Sequence, residues 1–289
     1  MHKQQINILD CTLREAGYLN NWEFNQEFCK KYIQDLNKSK VEYIEVGFLK
    51  DGNFSQNQTL FNQIEDINNI ISNDSTSKIC AMIMVDEFDI NKIVPKTSEI
   101  KLDCIRLSFK KHQINQAYEY LNKIKECGYE LFINPTYVDS YCDLELIELF
   151  EKLSEFMPNY ISIVDTNGFL KEKDILRIYY LIKNHFDKNV GICLHLHNNL
   201  HMAFYNAVQL IKENNDRNLI IDSTILGIGR NDGNIPTEQI MYYLSEYYYK
   251  NYNLNPIIEL SRHNNLMSTE FFTKNKVLKP KFQNLISKS

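Results

Sequence analysis

Residues 6–22 read INILDCTLREAGYLNNW, a short apolar run that is followed directly by acidic and basic residues. The apolar run over residues 6–9, which only Asn7 interrupts, predicts a β-strand. A strand holds the side chains at its end rigidly, and a binding or catalytic site requires such rigidity. The end of this strand is therefore the first candidate position for a functional site.

Short apolar runs of the same kind recur along the chain, and most of them are followed by a stretch with helical periodicity. The predicted strands cover residues 6–9, 43–48, 78–84, 104–109, 130–134, 160–164, 191–195 and 219–224. The predicted helices cover residues 24–38, 60–71, 88–94, 113–127, 143–156, 175–185, 200–213 and 237–249. Several of the strands are almost entirely apolar, which is typical of strands that are buried on both faces in a parallel sheet.

Eight alternations of strand and helix predict an α/β fold, a (β/α)8 TIM barrel. An open, doubly wound parallel sheet has the same local pattern and stays as the alternative. No linker rich in Pro, Gly or Ser divides the chain, so we expect one barrel domain over residues 1–254. Residues 255–289 are predicted to be a C-terminal extension with short helices over 262–265 and 269–275. We expect this extension to pack on the barrel or on the second subunit of a homodimer.

The composition limits the kinds of partner that the protein can have. The chain has 289 residues, of which 44% are hydrophobic, and a net charge of −5. This balance argues against nucleic acid as the main partner, because phosphate binding favours a basic surface. No run reaches the roughly 18 apolar residues that a membrane helix needs, and the first residues do not resemble a signal peptide. The seven cysteines form no CxxC pair, which suits reduced thiols, so we expect a cytoplasmic protein.

The sharpest local pattern is His195-Leu196-His197, which ends a predicted strand. Residues two apart on a strand point to the same face, so both imidazoles can reach one ion. Zinc, manganese and iron all accept imidazole ligands. Two histidines at a strand end can also be ordinary, hydrogen-bonded polar residues. Here Asn198 and Asn199 follow, and an acid ends another strand, so the pattern favours a metal site.

The acids and the arginine after the first strand are the natural complement to the two histidines. Glu15 would complete a set of two histidines and one carboxylate. Asp10 is the alternative for that role, or an acid behind the ligands that orients one of them or Arg14. Arg14 is suited to a carboxylate or enolate oxygen of a substrate, and alternatively to a structural ion pair with Glu45 or Asp165.

Further polar residues follow other predicted strands, and in a barrel all of these strand ends meet at one rim. They are Asn134 and Thr136 after the strand over 130–134, Thr166 after the strand over 160–164, and Asn234 in the glycine-bearing loop over 227–234. We expect these residues to contact the substrate or to support the metal ligands. Asn234 is a candidate for a further oxygen ligand, with a helix N-cap before Pro236 as the alternative.

Three motifs together resemble those of the DRE-TIM metallolyase superfamily, also called HMGL-like. Residues 10–15, DCTLRE, resemble its D-x-T-L-R-[DE] signature, and residues 195–198, HLHN, resemble its H-x-H-N metal motif. Residues 227–234, GIGRNDGN, are similar to its G-x-G-R-x-x-G-N loop. The superfamily contains hydroxymethylglutaryl-CoA lyase, isopropylmalate and homocitrate synthases, and 4-hydroxy-2-oxovalerate aldolase. Residues 9–22 together with EVGF at 45–48 look most like the branch of the last enzyme.

The resemblance implies a role for each residue that matches a motif. Glu15, His195 and His197 would hold a divalent metal ion, and Arg14 would stabilise an enolate oxygen. The implied cofactor is Mn²⁺ or Mg²⁺, with Co²⁺ or Zn²⁺ as alternatives. The implied partners are small molecules, a 2-oxo acid and an aldehyde.

The chain departs from the superfamily in the residues after Glu15. Ala16-Gly17-Tyr18 replaces the Gly-Glu-Gln continuation of the synthases, which weakens the case for Claisen chemistry. The 4-hydroxy-2-oxovalerate aldolases carry a histidine base four residues after the arginine, where this chain has Tyr18. We therefore expect Tyr18 or a metal-bound water to act as the base. The sequence stops short of the C-terminal extension of aldolases that pass acetaldehyde to a partner dehydrogenase, so we expect no such partner.

The residues and the resemblance together predict a divalent-metal-dependent aldolase, a carbon–carbon lyase. It would form or cleave an aldol bond between a 2-oxo acid such as pyruvate and an aldehyde through a metal-bound enolate. An acyl-CoA-dependent Claisen enzyme or lyase of the same superfamily is the first alternative. A non-catalytic metal-binding barrel is the second.

Overall fold

The structure is a computed structural model that describes residues 5–262, and its main feature is a closed parallel barrel. The strands are β1 (Ile6–Asp10), β2 (Tyr43–Leu49), β3 (Leu60–Phe61), β4 (Lys78–Met84), β5 (Cys104–Phe109), β6 (Glu130–Pro135), β7 (Tyr160–Asp165), β8 (Gly191–Leu196) and β9 (Leu219–Ser223). Neighbours pair in the order β1-β9-β8-β7-β6-β5-β4-β2, and β2 pairs with β1 to close the barrel. The predicted (β/α)8 barrel is confirmed, and the closure excludes the open sheet.

Helices surround the barrel and alternate with its strands. They are α1 (Thr12–Glu15), α2 (Gly17–Asn20), α3 (Gln26–Lys38), α4 (Ile114–Glu126), α5 (Asp143–Ser154), α6 (Glu172–His185), α7 (Ala203–Glu213), α8 (Thr237–Tyr248) and α9 (Asn255–Arg262). The predicted helices over 24–38, 113–127, 143–156, 175–185, 200–213 and 237–249 are confirmed, with ends that differ by up to three residues.

The predicted α-helices over 60–71 and 88–94 are wrong. Leu60–Phe61 is the short strand β3, which pairs with the end of β2, and Ile64–Ile70 is a 3₁₀-helix. Ile64, Ile67 and Ile70 are buried at steps of three, which is the repeat of a 3₁₀-helix rather than of an α-helix. In the second segment, only Ile90–Lys92 forms a single 3₁₀ turn.

The C-terminal part of the described chain packs on the barrel domain. Helix α9 contacts α3, and Ile257 is fully buried. Of the tail helices predicted over 262–265 and 269–275, all residues except Arg262 lie outside the described residues. Within residues 5–262, no helix combines the length and the apolar character that crossing a membrane requires.

The interior of the barrel changes from apolar to charged along its axis. An apolar layer consists of Leu9, Cys11, Tyr43, Cys80, Cys104, Phe132, Tyr160, Cys193 and Ile220. Side chains alternate along a strand, so the next inward position lies two residues further on. At four strands this position carries a buried charged or ionisable residue, namely Glu45, Arg106, His195 and Asp222. The apolar layer therefore closes the barrel directly beneath a charged layer at the carboxyl end.

Candidate metal and catalytic site

Glu15, His195 and His197 come together at the carboxyl end of the barrel, where the sequence predicts a metal site. One ligand atom from each of the three lies within 4.8 Å of the others, and all three residues are buried. Nε2 of His195 lies 3.3 Å from Oε1 of Glu15, and Nε2 of His197 lies 3.7 Å from its Oε2. His195 lies in β8 and His197 follows its last residue, while α1 comes directly after β1 and turns the glutamate toward them.

Hydrogen bonds at the Nδ1 atoms fix how the two imidazoles face Glu15. Nδ1 of His195 contacts Oδ2 of Asp222 at 2.8 Å, and Nδ1 of His197 contacts the backbone oxygen of Asp165 at 2.9 Å. Both partners are acceptors, so each Nδ1 carries the proton and donates it. Each Nε2 faces the Glu15 carboxylate, and a metal-ligating histidine offers the lone pair of this second nitrogen to the ion.

Six ionisable side chains form a closed ring of contacts inside the barrel: Glu15, Arg14, Glu45, Arg106, Asp222 and His195. Arg14 pairs with Glu15, and its Nε donates to Oε2 of Glu45 at 2.5 Å. Nη1 of Arg106 lies 3.2 Å from the same oxygen of Glu45, and its Nη2 donates to Oδ2 of Asp222 at 2.5 Å. His195 then closes the ring between Asp222 and Glu15.

Two carboxylates of the ring, those of Glu15 and Asp222, stay ionised although they are buried. Burial alone would raise the pKa of Glu15, but Arg14 and the two histidines hold it well below its usual value. Burial would likewise raise the pKa of Asp222, but Arg106 and His195 lower it. With His195 neutral, as a metal ligand must be, the ring holds three carboxylates and two guanidinium groups, so one buried negative charge lacks a cationic partner within the ring. A buried charge is costly unless it is paired, and a cation at the triad would supply the pair.

The buried polar atoms that lack a hydrogen-bond partner within residues 5–262 fit a metal ion at the triad. They include Oε2 of Glu15, Nε2 of His197 and Oδ1 of Asn234. Asn234 pairs with His197 through the backbone, and its Nδ2 donates to the oxygen of Leu196 at 3.3 Å. Two imidazole nitrogens, a carboxylate and an amide oxygen form a donor set that first-row divalent ions accept. The residues present therefore fit the implied group.

Asn234 does not cap a helix, which was the alternative to its role as a ligand. The residue before α8 is Pro236, and no side chain within residues 5–262 caps this helix end. Asn234 instead lies against Gly229, where a Cβ atom would come within 2.1 Å of its Oδ1. The glycine therefore leaves the space that the amide occupies beside the triad.

A small pocket opens above the triad, and most of the predicted substrate residues line it. Its volume is about 90 Å³, and Arg14, Tyr18, Asn134, Thr136 and Thr166 form part of its wall. The hydroxyl groups of Thr136 and Thr166 are already bonded to the backbone, at Phe109 O and Tyr137 N. Oδ1 of Asn134 is buried without a partner among the described residues, so it is available to a ligand.

The carboxylate of Asp10 forms hydrogen bonds that connect elements of the fold, and none of these bonds goes to a predicted metal ligand among residues 5–262. Its carboxylate accepts hydrogen bonds from Thr12, from the hydroxyl of Tyr32 at 2.8 Å and from that of Thr237 at 2.8 Å. These hydrogen bonds tie the end of β1 to α3 and α8. Among residues 5–262 these hydrogen bonds go neither to Arg14 nor to a predicted metal ligand, so a role of Asp10 in the site stays a prediction. Arg14 pairs with Glu45, one of the two acids that the sequence offered.

Sequence reasoning missed Arg106 and Asp222 as members of the site, and Lys110 and Arg230 as residues of the pocket wall. Arg106 and Asp222 are single charged residues within otherwise apolar strands. A charge at such a position needs a buried partner, and this was the signal that could have found them. Their partners lie on distant strands, so the sequence alone does not identify them.

Comparison with known proteins agrees with the barrel and with the three motifs. The HMGL-like family model matches residues 5–263. The chain belongs to the HMGL-like family.

Relatives within the family differ in the reaction that their names describe. The chain is 24% identical to 4-hydroxy-2-oxovalerate aldolase from Geobacillus genomosp. 3, over 85% of this chain and 72% of that one. It is 26% identical to homocitrate synthase from Pyrococcus horikoshii, over 88% of this chain and 70% of that one. It is 22% identical to oxaloacetate decarboxylase from Mycobacterium tuberculosis, over 82% of this chain and 69% of that one.

Solved structures of HMGL-like proteins share the fold. The N-terminal domain of a proposed aldolase from Bacteroides vulgatus superposes with a TM-score of 0.75 at 24% identity, covering 93% of this chain and 87% of that one. HMG-CoA lyase from Bacillus subtilis superposes with a TM-score of 0.70 at 17% identity, covering all of both chains. The family therefore includes aldolases, synthases and lyases on one barrel.

Proposed function

We propose that this HMGL-like protein is a divalent-metal-dependent aldolase that joins a 2-oxo acid such as pyruvate to an aldehyde, or cleaves the product. The observation that carries the proposal is the triad of Glu15, His195 and His197, with both Nε2 atoms directed at one carboxylate. The cofactor would be Mn²⁺ or Mg²⁺, with Co²⁺ or Zn²⁺ as alternatives. The similarity to 4-hydroxy-2-oxovalerate aldolase supports the same reaction class.

When bound at the triad, the ion would supply a Lewis acid that polarises the carbonyl of the oxo acid. Arg14 would bind the oxo acid through Nη2, which is buried and has no hydrogen-bond partner among the described residues. Its Nε and Nη1 atoms are held by Glu45 and Glu15, so the guanidinium is fixed before the substrate arrives. A donor that is fixed in advance stabilises a developing oxyanion without the cost of reorientation.

The atoms balance without an oxidant or a reductant. In the condensation direction, C3 of the oxo acid releases a proton to solvent water and forms a bond to the aldehyde carbon. The aldehyde oxygen gains a proton and becomes the product hydroxyl. In the cleavage direction, the group on the protein that donated this proton accepts it again from the product hydroxyl.

Tyr18 is suited to hold this proton. It lines the pocket, and its ring packs against Trp22 at 5.0 Å between ring centroids. Burial raises the pKa of the Tyr18 hydroxyl, so at neutral pH the group is a phenol that donates a hydrogen bond. We assign Tyr18 as the group that donates a proton to the aldehyde oxygen in condensation and, in its phenolate form, accepts the proton of the product hydroxyl in cleavage.

Two other functions are open to the same fold. Similarity to homocitrate synthase and to 2-isopropylmalate synthase favours acyl-CoA-dependent Claisen chemistry as the second candidate. The residues after Glu15 argue against this candidate, because Ala16-Gly17-Tyr18 replaces the Gly-Glu-Gln continuation of the synthases. A non-catalytic metal-binding barrel would need no unpartnered donor such as Nη2 of Arg14 in the pocket.

A screen of pyruvate with a panel of aldehydes tests the proposal. Reactions with and without Mn²⁺ or Mg²⁺ are read by mass spectrometry, and acetyl-CoA replaces the aldehyde in a parallel set. The proposal expects an aldol product that depends on the ion and is lost in Arg14→Ala. Condensation with acetyl-CoA alone would establish the Claisen candidate instead, and no product with any pair would favour the non-catalytic barrel.

A further inference from the structure

Two cationic side chains, Lys110 and Arg230, line the same pocket as the triad but belong to neither the metal set nor the charged ring. Lys110 follows β5 directly, and Arg106, Ser108 and Lys110 alternate along one face of that segment. Because alternate residues share a face, Lys110 continues the inward-facing row toward the mouth of the pocket. Lys110 is exposed and Arg230 is half-buried, so both lie at the outer end of the site.

Neither cation forms an ion pair with a carboxylate among residues 5–262. Nη2 of Arg230 donates to the backbone oxygen of Thr166 at 3.2 Å, and its guanidinium lies 5.5 Å from the ring centroid of Tyr18. Nε of Arg230 is buried and has no hydrogen-bond partner among the described residues. Arg14, the third cation of the pocket, is instead held by two carboxylates.

The loop that carries Arg230 is tied to the triad. Asn234 N donates to Gly227 O at 3.0 Å, and Asn198 N donates to Gly233 O at 2.8 Å. These contacts join the loop to the segment that follows His197 and place Asn234 beside the ligands. Arg230 is therefore held at a defined position above the site rather than projecting freely from the surface.

The charges of the pocket exceed what one oxo acid requires. The carboxylate of a 2-oxo acid is accounted for by an ion at the triad and by Arg14. Lys110 and Arg230 then remain without an ion-pair partner in the part of the chain that the structure describes, and both line the space that the second substrate must enter. Cations in a cleft of this kind attract and orient anions, and charge-assisted hydrogen bonds from Lys or Arg are the usual means of binding carboxylate and phosphate.

We propose that the aldehyde substrate carries an anionic group, a carboxylate or a phosphate, which Lys110 and Arg230 bind at the outer end of the pocket. This inference rests on the proposed aldolase function and names the class of its second substrate. The reacting carbonyl would then lie between Tyr18 and the triad, and the anionic group would lie toward the rim.

Matched pairs of aldehydes test this inference. Each pair has a neutral and an anionic member: propionaldehyde with succinic semialdehyde, and glyceraldehyde with glyceraldehyde 3-phosphate. With pyruvate and Mn²⁺, we expect kcat/KM to be roughly 10- to 100-fold higher for the anionic member of at least one pair, mainly through KM. The pair with the larger anionic-to-neutral ratio of kcat/KM shows whether the site prefers a carboxylate or a phosphate.

Charge-removing variants connect the preference to the two residues. Lys110→Met and Arg230→Met should each reduce the anionic-to-neutral ratio of kcat/KM by roughly tenfold or more. Lys188→Met is the matched control, because Lys188 is exposed and lies before β8 at the opposite end of the barrel. This control should keep the ratio of the parent protein.

A separate measurement distinguishes failure of this inference from failure of the proposed function. Exchange of the C3 protons of pyruvate in D₂O, followed by NMR, reports enolisation without any aldehyde. If exchange occurs but neutral and anionic aldehydes react equally well, the inference of an anionic substrate is wrong and the proposed aldolase function is retained. The same conclusion follows if Lys110→Met and Arg230→Met both keep the preference for the anionic aldehyde. No exchange and no product overturns both.

Discussion

Nδ1 of His195 donates a hydrogen bond to Oδ2 of Asp222 across 2.8 Å inside the barrel. The same oxygen accepts from Nη2 of Arg106 at 2.5 Å, so the carboxylate that orients the histidine is itself held in place. This arrangement leaves Nε2 of His195 facing Glu15. Carboxylates behind ligating histidines fix the ring and raise its basicity.

Asp222→Asn should therefore weaken metal binding by roughly 10- to 100-fold, since the loss of such a partner typically has this effect. Isothermal titration of the metal-free protein with Mn²⁺ measures the change. Asp165→Asn is the matched control, because its carboxylate accepts from Phe169 N and Leu170 N, while His197 uses only the backbone oxygen of Asp165. Equal losses in both variants would contradict the role of Asp222.

Glu45→Gln should reduce turnover while leaving the metal affinity within a few-fold of the parent value. Glu45 holds Nε of Arg14 at 2.5 Å and lies 3.2 Å from Nη1 of Arg106, but it does not contact the triad. An amide keeps the shape and loses the charge-assisted bonds, so Arg14 loses its fixed position. We expect kcat to fall roughly 10- to 100-fold, which corresponds to about 1.5–3 kcal/mol for a bond to a charged group.

Glu42→Gln is the control for this prediction. Glu42 lies just before β2 and bonds Ile8 N, Lys250 and Tyr252, away from the pocket. It should change stability but leave kcat near the parent value. A Glu45→Gln protein with unchanged kcat would show that Arg14 needs no such support.

The strands of the barrel and the two histidines of the site could be predicted from the sequence. The closure of the barrel and the charged residues around the histidines could not. Strands that are buried on both faces leave nearly continuous apolar runs, so all eight were visible. His195 and His197 share a strand face, which is a local property of the chain. The closure of the barrel depends on the pairing of β1 with β2, and no local pattern distinguishes it from an open sheet.

The charged ring shows the limit of sequence reasoning at the site. Arg106 and Asp222 are 116 positions apart in the chain and meet only because their strands face each other across the barrel. The sequence shows two isolated charges in apolar strands, but not that each one neutralises the other. Asp10 illustrates the reverse case, since an acid in a signature motif proved to hold Thr12, Tyr32 and Thr237.

Gly229→Ala should weaken metal binding through Asn234. A Cβ atom on Gly229 would lie 2.1 Å from Oδ1 of Asn234 and 3.4 Å from Cβ of Glu15, so the amide must move. If Asn234 supports the ion, Gly229→Ala and Asn234→Ala should each reduce the Mn²⁺ affinity. The double variant should bind Mn²⁺ no more weakly than the single variant with the lower affinity. Such non-additivity is the signature of two changes that remove one interaction. Fully additive losses of Mn²⁺ affinity would contradict the role of Asn234 as a support of the ion.

A divalent ion should stabilise the folded protein through Glu15. With His195 neutral, the ring carries one more carboxylate than guanidinium, so an ion at the triad pairs with the remaining buried charge. At 100 times its Kd, an ion that binds only the folded state adds about 2.7 kcal/mol to the free energy of unfolding. Each kcal/mol raises Tm by about 2–4 °C in a domain of 150–250 residues. Thermal unfolding with Mn²⁺ or with a chelator measures the shift, which Glu15→Gln should abolish. Glu23→Gln, at an exposed position outside the pocket, should keep it, and an equal shift in Glu15→Gln would place the ion elsewhere.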